Sequence, residues 1–346
     1  MPPRRRGWAL VWIALCSPAA AQEPVLAAPV GYTAFALIDA ARQRPLPTTI
    51  WYPAADGTAN APMSYHRVFR GTAAENAPWR DAAARRPLVL LSHGDKGSNA
   101  DQCWLAEALA RHGYVVAAVS HWKNTWEGYD RVETVRVWER PLDVSALLDA
   151  LLADPVWGPR IDRDRVGAAG HSSGGYTVLA LAGAIYRPLQ MRAYCESPQR
   201  GPDCDLAKDL PLHEVDFTPA NRSYREPRVR AVFAMAPAIG PGLDADSLKA
   251  IAVPVDVMAA ENDEVLPFAL HAARVAREIP GAQLHRLGDG GHFAFMPECT
   301  TMTKVATFFM KFDICGRKTP AVRSQLHAQI AHEAVTFFDQ ALRAPD

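Results

Sequence analysis

An excess of charge of either sign is absent from this chain. Its 346 residues contain 37 lysines and arginines and 37 aspartates and glutamates, so the formal net charge is zero. Proteins that hold nucleic acid by its phosphates carry a strongly basic patch, and a balanced charge gives no support to such a partner. Hydrophobic residues make up 49% of the chain, which is enough to bury a sizeable core.

A hydrophobic run long enough to span a bilayer is also missing from the N-terminus. The apolar stretch at residues 8–16 is too short for a transmembrane helix. It follows three arginines at 4–6 and precedes three alanines at 19–21 that resemble a signal peptidase site. We therefore predict a signal peptide at residues 1–21, cleaved before Gln22, with export to a periplasm or the exterior and no stable membrane insertion.

Cysteine is scarce, and five of the six cysteines would remain after cleavage. In an exported protein cysteines tend to pair, so one of the five must be left over. The most economical pairing joins Cys195 to Cys204 and Cys299 to Cys315, and leaves Cys103 as a buried free thiol. Other pairings among these five residues stay open.

The first motif that carries chemistry is GHSSG at residues 170–174, directly after the apolar run at 165–169. A strand that runs into G-x-S-x-G and then into a helix predicts a nucleophile elbow, a sharp turn that lifts a serine hydroxyl clear of the sheet. The flanking glycines relieve crowding around the strained serine backbone. Ser172 is therefore the predicted nucleophile. A glycine-rich turn of another α/β fold is the alternative for this motif taken alone.

An acid follows Ser172, as this type of site requires. The apolar segment at 251–260 predicts a buried strand, and Asp263 lies in the loop after it. Glu261 and Glu264 flank Asp263 as alternatives. Asp256 lies inside the predicted strand, from which it could not reach across the sheet.

The histidine that follows the acid is predicted to be His292, in a glycine-rich loop after a strand at 283–287. Flexible flanks let an imidazole swing over the serine. His327 and His332 fall on a predicted C-terminal helix, where solvent exposure is expected. His93, which stands next to another motif, is expected to hold its own loop by hydrogen bonds.

That other motif is an apolar strand at 87–92 that ends in His93-Gly94-Asp95. The loop after such a strand supplies one backbone amide of an oxyanion hole, and the residue after the nucleophile supplies the other. These amides would belong to Asp95 and Ser173, with the Asp95 carboxylate turned away. A metal site made by His93, Asp95 and His121 is the rival interpretation, but its spacing matches no common site. We expect no metal and no organic cofactor.

Strands and helices alternate along most of the chain. Strands are predicted at 88–92, 114–120, 165–169, 229–235, 251–260 and 283–287, and helices at 101–112, 140–153 and 324–342. This alternation predicts a mostly parallel central sheet with helices on both faces. An antiparallel hairpin at 32–38 and 48–52 precedes it. The carboxyl ends of parallel strands meet at one edge, so Ser172, Asp263, His292 and Asp95 are expected to converge.

Two long segments interrupt this pattern. Residues 122–139 hold four large aromatic side chains, and residues 186–227 are predicted to be an irregular insertion in a single domain at 22–346. Segments this long are usually functional lids or disordered. The aromatic side chains either line a pocket or pack the segment onto the body, and the sequence leaves both readings open.

Several further segments carry a resemblance to a known family. They are LPTTIWYPA at 46–54, LSHG at 91–94, RHGYVVAAV at 111–119, RPLDV at 140–144 and IDRDRV at 161–166. Together with the elbow, they make the chain resemble the α/β-hydrolase superfamily, and within it the platelet-activating factor acetylhydrolase group and the related bacterial predicted dienelactone hydrolases. True dienelactone hydrolases use cysteine where this chain has Ser172, which speaks against that literal activity.

The motifs and the resemblance together imply a secreted serine hydrolase with the α/β-hydrolase fold. It would cleave a small-molecule carboxylic ester through Ser172, His292 and Asp263 and an acyl-enzyme. A thioesterase, amidase or peptidase on the same triad is the alternative, and a non-catalytic binding protein with this fold is a further one. The natural substrate and the oligomeric state stay open.

Overall fold

The computed structural model of the protein describes residues 28–288, 290–308, 314–315 and 320–343. The signal peptide predicted at residues 1–21 lies outside these residues. The strands are β1 (Val30–Phe35), β2 (Ile38–Asp39), β3 (Arg44–Pro45), β4 (Thr48–Pro53), β5 (Pro62–Tyr65), β6 (Phe69–Thr72), β7 (Ala74–Glu75), β8 (Arg86–Ser92), β9 (Val115–Val119), β10 (Ile161–His171), β11 (Val229–Met235), β12 (Val255–Ala260) and β13 (Gln283–Leu287). The α-helices are α1 (Cys103–Arg111), α2 (Arg131–Val135), α3 (Glu139–Ala153), α4 (Ser173–Ala182), α5 (Pro188–Glu196), α6 (Pro202–Ala207), α7 (Ala245–Lys249), α8 (Ala272–Glu278), α9 (Thr301–Ala306) and α10 (Pro320–Ala341).

A nine-stranded sheet runs through the described part of the chain, in the order β13-β12-β11-β10-β8-β9-β4-β1-β7. Neighbouring strands from β9 to β13 are parallel, and β4 is antiparallel to both β9 and β1. Every residue of β9 and of β12 is buried. Strands covered on both faces need continuous apolar runs, and these runs are what the sequence contains. The predicted parallel sheet with an opening antiparallel pair is confirmed.

Helices cover both faces of this sheet. A Cβ atom on Gly167 would lie 2.5 Å from the Phe338 ring of α10, whereas one on Gly170 would lie 2.3 Å from the Gly174 carbonyl of α4. These glycines are three residues apart on β10, so they face opposite sides of the sheet. α1 packs with α10 on one side, and α3 packs with α4 on the other.

The predicted elements differ from the observed ones mainly at their ends. The strand predicted over 251–260 begins only at Val255, because Pro254 has no amide to donate to a sheet. The elbow strand is longer than predicted, since β10 covers Ile161–His171. The ends of β8, β10, β12 and β13 nevertheless lie at one edge, where the predicted site residues follow them.

The segment 186–227 is only partly irregular, because it contains α5 and α6. A disulfide joins Cys195 of α5 to Cys204 of α6. A second one joins Cys299 to Cys315, and Cys103 is a buried free thiol. The predicted pairing is therefore confirmed. Within the described residues, no helix is both long enough and apolar enough to cross a membrane.

α4 approaches the end of β8 more closely than a side chain would allow. A Cβ atom on Gly174 would lie 1.8 Å from the Ser92 carbonyl oxygen, and real Cβ atoms do not come that near. The obstruction is backbone at the end of a central strand, so it cannot move aside as a flexible side chain would. Glycine is therefore required at position 174 by packing.

We expect Gly174→Ala to destabilise the protein by roughly 1–3 kcal/mol or more, since it overpacks the join between α4 and β8. Gly128→Ala is the matched control, because the nearest atom to its new Cβ would be Thr125 Oγ1 at 3.7 Å, an ordinary contact. The urea midpoint of unfolding should fall for Gly174→Ala and stay near the wild-type value for Gly128→Ala. Equal midpoints for the two variants would contradict the packing argument.

Candidate active site

Ser172 occupies the sharp turn between β10 and α4. Its backbone has φ 57° and ψ −118°, which is a strained conformation for a residue with a side chain. The Ser172 amide donates to the Met235 carbonyl at 3.0 Å, which anchors the turn to the neighbouring strand. Although Ser172 stands at the N-cap of α4, its hydroxyl accepts no hydrogen bond from the first amides of the helix. The hydroxyl is thus left for another partner.

That partner is His292. The Ser172 hydroxyl oxygen lies 3.0 Å from His292 Nε2, and His292 Nδ1 lies 2.8 Å from Asp263 Oδ2. A carboxylate only accepts hydrogen bonds, so it holds the imidazole proton on Nδ1 and leaves Nε2 to accept from the serine. The three predicted residues therefore form one continuous hydrogen-bonded chain, with His292 3% exposed.

Asp263 is the terminal acceptor of this chain. Its other oxygen, Oδ1, accepts the amides of Val265 and Leu266 at 2.8 and 2.7 Å. Burial by itself would raise the pKa of the Asp263 carboxyl, but the bond from His292 and these two amides outweigh it and hold the pKa below its usual value. Asp263 therefore stays ionised beside the imidazole.

The alternative acids have other partners. Glu264 accepts the backbone amide of His292 at 2.8 Å, so it holds the histidine loop without touching the imidazole. Glu261 pairs with Arg286 at 3.0 Å. Asp256 lies within β12, as predicted, and its carboxylate is 2.9 Å from His285. The role of Glu264 as a backbone acceptor had no signal in the sequence.

The loop after β8 passes directly over Ser172. A Cβ atom on Gly94 would lie 3.4 Å from Ser172 Cβ. Ser173, the other residue predicted to offer its amide, is the first residue of α4. The Asp95 carboxylate accepts a hydrogen bond from Asn124 at 2.8 Å, which gives that charge a partner. Asn124 was not identified from the sequence.

His171 and His327 both have hydrogen-bond partners, and His171 lies beside His292. His171 Nε2 donates to the His292 carbonyl at 3.0 Å, and its ring centroid lies 4.8 Å from that of His292. Burial, with the nearby His292 ring, lowers the pKa of His171 to about 3, so it stays neutral. The expectation that His327 is solvent-exposed is wrong, because its ring stacks on Trp104 at 4.0 Å and bonds the Ala294 carbonyl.

His93 and His121 hold the loop after β8. His93 Nδ1 donates to the Gly94 carbonyl at 2.6 Å, and His93 Nε2 accepts the amide of His121 at 2.9 Å. His121 in turn contacts Ser92 and Asp143, each at 2.9 Å. Among the residues that the structure describes, no group of three or more His, Cys, Asp or Glu side chains is arranged to hold a metal ion.

A cavity of about 660 Å³ opens onto Ser172 and His292. Its walls are mostly apolar and come from the start of β6, the segment around α9 and both residues of the Cys299–Cys315 disulfide, among others. They include Val68, Phe69, Val265, Met296 and Ile314. Of the aromatic residues at 122–139, Trp126 lines this cavity, whereas Trp138 is buried against Phe217. Both readings of that segment therefore hold, for different side chains.

The lowered pKa of Asp263 predicts a pH-dependent part of stability. A carboxyl whose pKa is lower in the folded state stabilises the protein above its unfolded pKa of about 4, and that contribution is lost as the pH falls through the folded pKa. We expect Asp263→Asn to lower the free energy of unfolding at pH 7, with a smaller difference from wild type at pH 3. Urea unfolding of both proteins at the two pH values measures this. A difference that stays constant would show that Asp263 makes no charge-dependent contribution.

Comparison with known proteins adds to this picture. No family model matches the chain. It is similar in sequence to Cutinase est1 and Cutinase est2 of Thermobifida alba, with 27% and 28% identity over 62% of this chain and 55% of each relative. The chain thus spans about half the length of the curated relatives it matches.

In structure, the chain is similar to a ferulic acid esterase from Streptomyces cinnamoneus. The TM-score is 0.64 at 22% sequence identity, and the match covers 94% of this chain and 93% of the other. The large, mostly parallel sheet, the helices on both faces and this likeness over nearly the whole chain lead to one conclusion about architecture: the protein has the α/β-hydrolase fold.

Proposed function

We propose that the protein is a serine hydrolase that cleaves carboxylic esters. The observation that carries this proposal is the continuous chain from Ser172 through His292 to Asp263, at the wall of an apolar cavity. Its sequence relatives are cutinases and its structural neighbour is a ferulic acid esterase, which supports the same reaction class. Within the superfamily, we place the protein with the platelet-activating factor acetylhydrolase group and its bacterial relatives, on the sequence segments that resemble them.

The reaction would begin with proton transfer from the Ser172 hydroxyl to His292 Nε2 as the serine oxygen attacks the ester carbonyl carbon. Asp263 stabilises the imidazolium that forms and holds its tautomer. His292 then gives the proton to the leaving alcohol, and the acyl group stays on Ser172. Water, deprotonated by His292, attacks the acyl-enzyme and releases the carboxylic acid and the free serine.

The negative charge on the carbonyl oxygen would be stabilised by the backbone amides of Asp95 and Ser173. Two observations support this assignment: Gly94 lies against Ser172, and Ser173 opens α4, whose first amides the Ser172 side chain leaves unbonded. The positive end of the helix dipole adds to that stabilisation. A carboxylate that faced the oxyanion would oppose it, and the bond from Asn124 ties the Asp95 carboxylate to the loop after β9.

The substrate we propose is a small-molecule ester with an apolar acyl or aryl part. A cavity of about 660 Å³ lined by side chains such as Phe69, Val265 and Met296 would desolvate such a group. Thioesters, amides and peptides can react by the same steps, and they form the alternative. A binding protein without catalysis is the weaker alternative, because an ordered serine–histidine–acid chain has no evident purpose in one.

Export is part of the proposal. The two disulfides, Cys195–Cys204 and Cys299–Cys315, are typical of proteins that mature in an oxidising compartment. Removal of the predicted signal peptide at residues 1–21 would leave residues 22–346 as one hydrolase domain, with the segment 186–227 as its insertion.

We expect the mature protein to hydrolyse p-nitrophenyl esters and Ser172→Ala to lose the activity by roughly 10⁴-fold or more, because the nucleophile and base act as a unit. The control is Ser223→Ala, which removes an exposed hydroxyl far along the chain and should keep wild-type rates. A series from acetyl to dodecanoyl esters, read at 405 nm, gives the acyl preference. Activity that survives in Ser172→Ala would refute the assigned nucleophile.

We also expect esters to react faster than p-nitroanilides with the same acyl group. Expelling the poorer amine leaving group requires stronger protonation by His292 than expelling an alcohol. The ratio of kcat/KM for each matched pair measures the preference. Faster hydrolysis of the anilides would favour the amidase or peptidase alternative.

A further inference from the structure

One buried cation has no part in the mechanism above. Arg140, the second residue of α3, is 5% exposed and uses its guanidinium on three neutral oxygens. Nε donates to Thr177 Oγ1 at 3.1 Å, and Nη1 donates to Asn124 Oδ1 at 2.7 Å. Nη2 donates to the backbone carbonyl of His93. The three partners belong to different segments: Thr177 to α4, Asn124 to the loop after β9, and His93 to the loop after β8.

Arg140 is connected to two residues of the candidate site through hydrogen-bonded side chains, which we call its arms. The arm through Asn124 ends at the loop after β8. The Asn124 side-chain amide accepts from Arg140 through Oδ1 and donates through Nδ2 to the Asp95 carboxylate at 2.8 Å. Nδ2 also donates to Thr134 Oγ1 at 2.7 Å, which fixes the plane of the amide. Arg140 therefore reaches Asp95 through one neutral intermediary.

The arm through Thr177 ends at the start of α4. Thr177 Oγ1 accepts from Arg140 and donates its own proton to the Ser173 carbonyl at 2.8 Å. Arg140 thus reaches Ser173 through one neutral intermediary as well. The two arms end at the two residues whose backbone amides are assigned to the oxyanion hole.

Arg140 also bonds the loop after β8 directly, because its Nη2 donates to the His93 carbonyl. The His93 ring holds the Gly94–Asp95 peptide, since its Nδ1 donates to the Gly94 carbonyl at 2.6 Å. The backbone amide of His121 donates to the other ring nitrogen of His93, Nε2. One guanidinium thus bonds this loop directly and α4 at Thr177.

The placement of Arg140 is costly for α3 taken alone. A cation in the first turn of a helix is repelled by the helix dipole, and burial lowers the pKa of Arg140 to about 10, with the Asp95, Asp143 and Asp101 carboxylates acting in the opposite direction. The side chain still remains charged at neutral pH. A planar fork with several fixed donors is the one side chain that can hold three oxygens in set directions.

We propose that Arg140 is a positioning residue that fixes the separation between the Asp95 and Ser173 amides, with Asn124 and Thr177 as its two arms. Arg140 touches no reacting atom in this proposal. It acts by holding two backbone donors where the oxyanion forms, which is where preorganised donors contribute most to the rate. This role rests on the proposed ester hydrolysis and adds to it the residue that positions the two oxyanion-hole amides.

The test removes each arm separately. Thr177→Val deletes one hydroxyl with little change in volume, Asn124→Ala deletes the other arm, and Arg140→Lys keeps the charge but loses the fork. Thr48→Val is the matched control, because its buried hydroxyl also bonds a backbone carbonyl, that of Leu46, with no contact to Arg140. For each protein, kcat and KM for p-nitrophenyl butyrate, the inhibition constant of an alkyl boronic acid and Tm are measured.

We expect both arm variants to lower kcat by about 10- to 100-fold with KM unchanged, because a small displacement of a donor affects the transition state and not the bound ester. The boronic acid, whose adduct with Ser172 is tetrahedral, should bind more weakly by a similar factor. The pH profile of kcat should keep its wild-type shape, since the His292–Asp263 pair is untouched. Thr48→Val should change Tm alone.

The arms should also act together. Because both transmit through Arg140, the double variant Thr177→Val with Asn124→Ala is expected to lose less in kcat than the product of the single losses. Arg140→Lys should lose at least as much as either arm. If Arg140→Lys does not fold, the arm variants and their double variant carry the test.

Two results would overturn the proposal in distinguishable ways. Arm variants with wild-type kcat and wild-type boronic acid affinity, whatever their Tm, would leave Arg140 a structural residue only. That result would refute the positioning role while ester hydrolysis stands. A wild-type protein that hydrolyses no ester, or hydrolyses it independently of Ser172, would overturn the proposed function and the positioning role of Arg140 with it.

Discussion

The fit of α4 against the end of β8 is the constraint on which the rest of the site depends. The backbone at Gly174 lies so near the Ser92 carbonyl that no side chain fits between them. Because α4 starts so close to the end of β8, the chain turns sharply at Ser172, which takes a positive φ. The hydroxyl then meets His292 at 3.0 Å. One backbone contact thus orients Ser172 and brings the start of α4 beside the loop that follows β8.

The surroundings of His292 keep one neighbouring group ionised and another neutral. Asp263 stays ionised because donors surround it, and His171 stays neutral because it is buried. A second cation beside His292 would oppose formation of the imidazolium in the proposed reaction, so a neutral His171 favours it. The buried charge of Arg140 donates one hydrogen bond from each of its three guanidinium nitrogens.

Much of the fold and the core of the site could be predicted from local patterns. Apolar runs at β8, β9 and β12 specify strands buried on both faces, and G-x-S-x-G specifies the turn at Ser172, because both depend on neighbours in sequence. The order serine, acid, histidine then places Asp263 and His292 on loops at one sheet edge. Where the prediction was wrong, as at His327, the cause was a contact with Trp104 from a distant helix.

Local sequence patterns specify which residue types follow each strand and which cysteines lie close enough along the chain to pair. The folded chain was needed to show which acid contacts the imidazole and that Glu264 accepts the backbone amide of His292. It was also needed to show that Arg140 connects to Asp95 and Ser173 through Asn124 and Thr177. The two kinds of information differ in the distance along the chain over which they act. Propensity and patterning act over a few residues, whereas hydrogen bonds form between any groups that folding brings within about 3 Å.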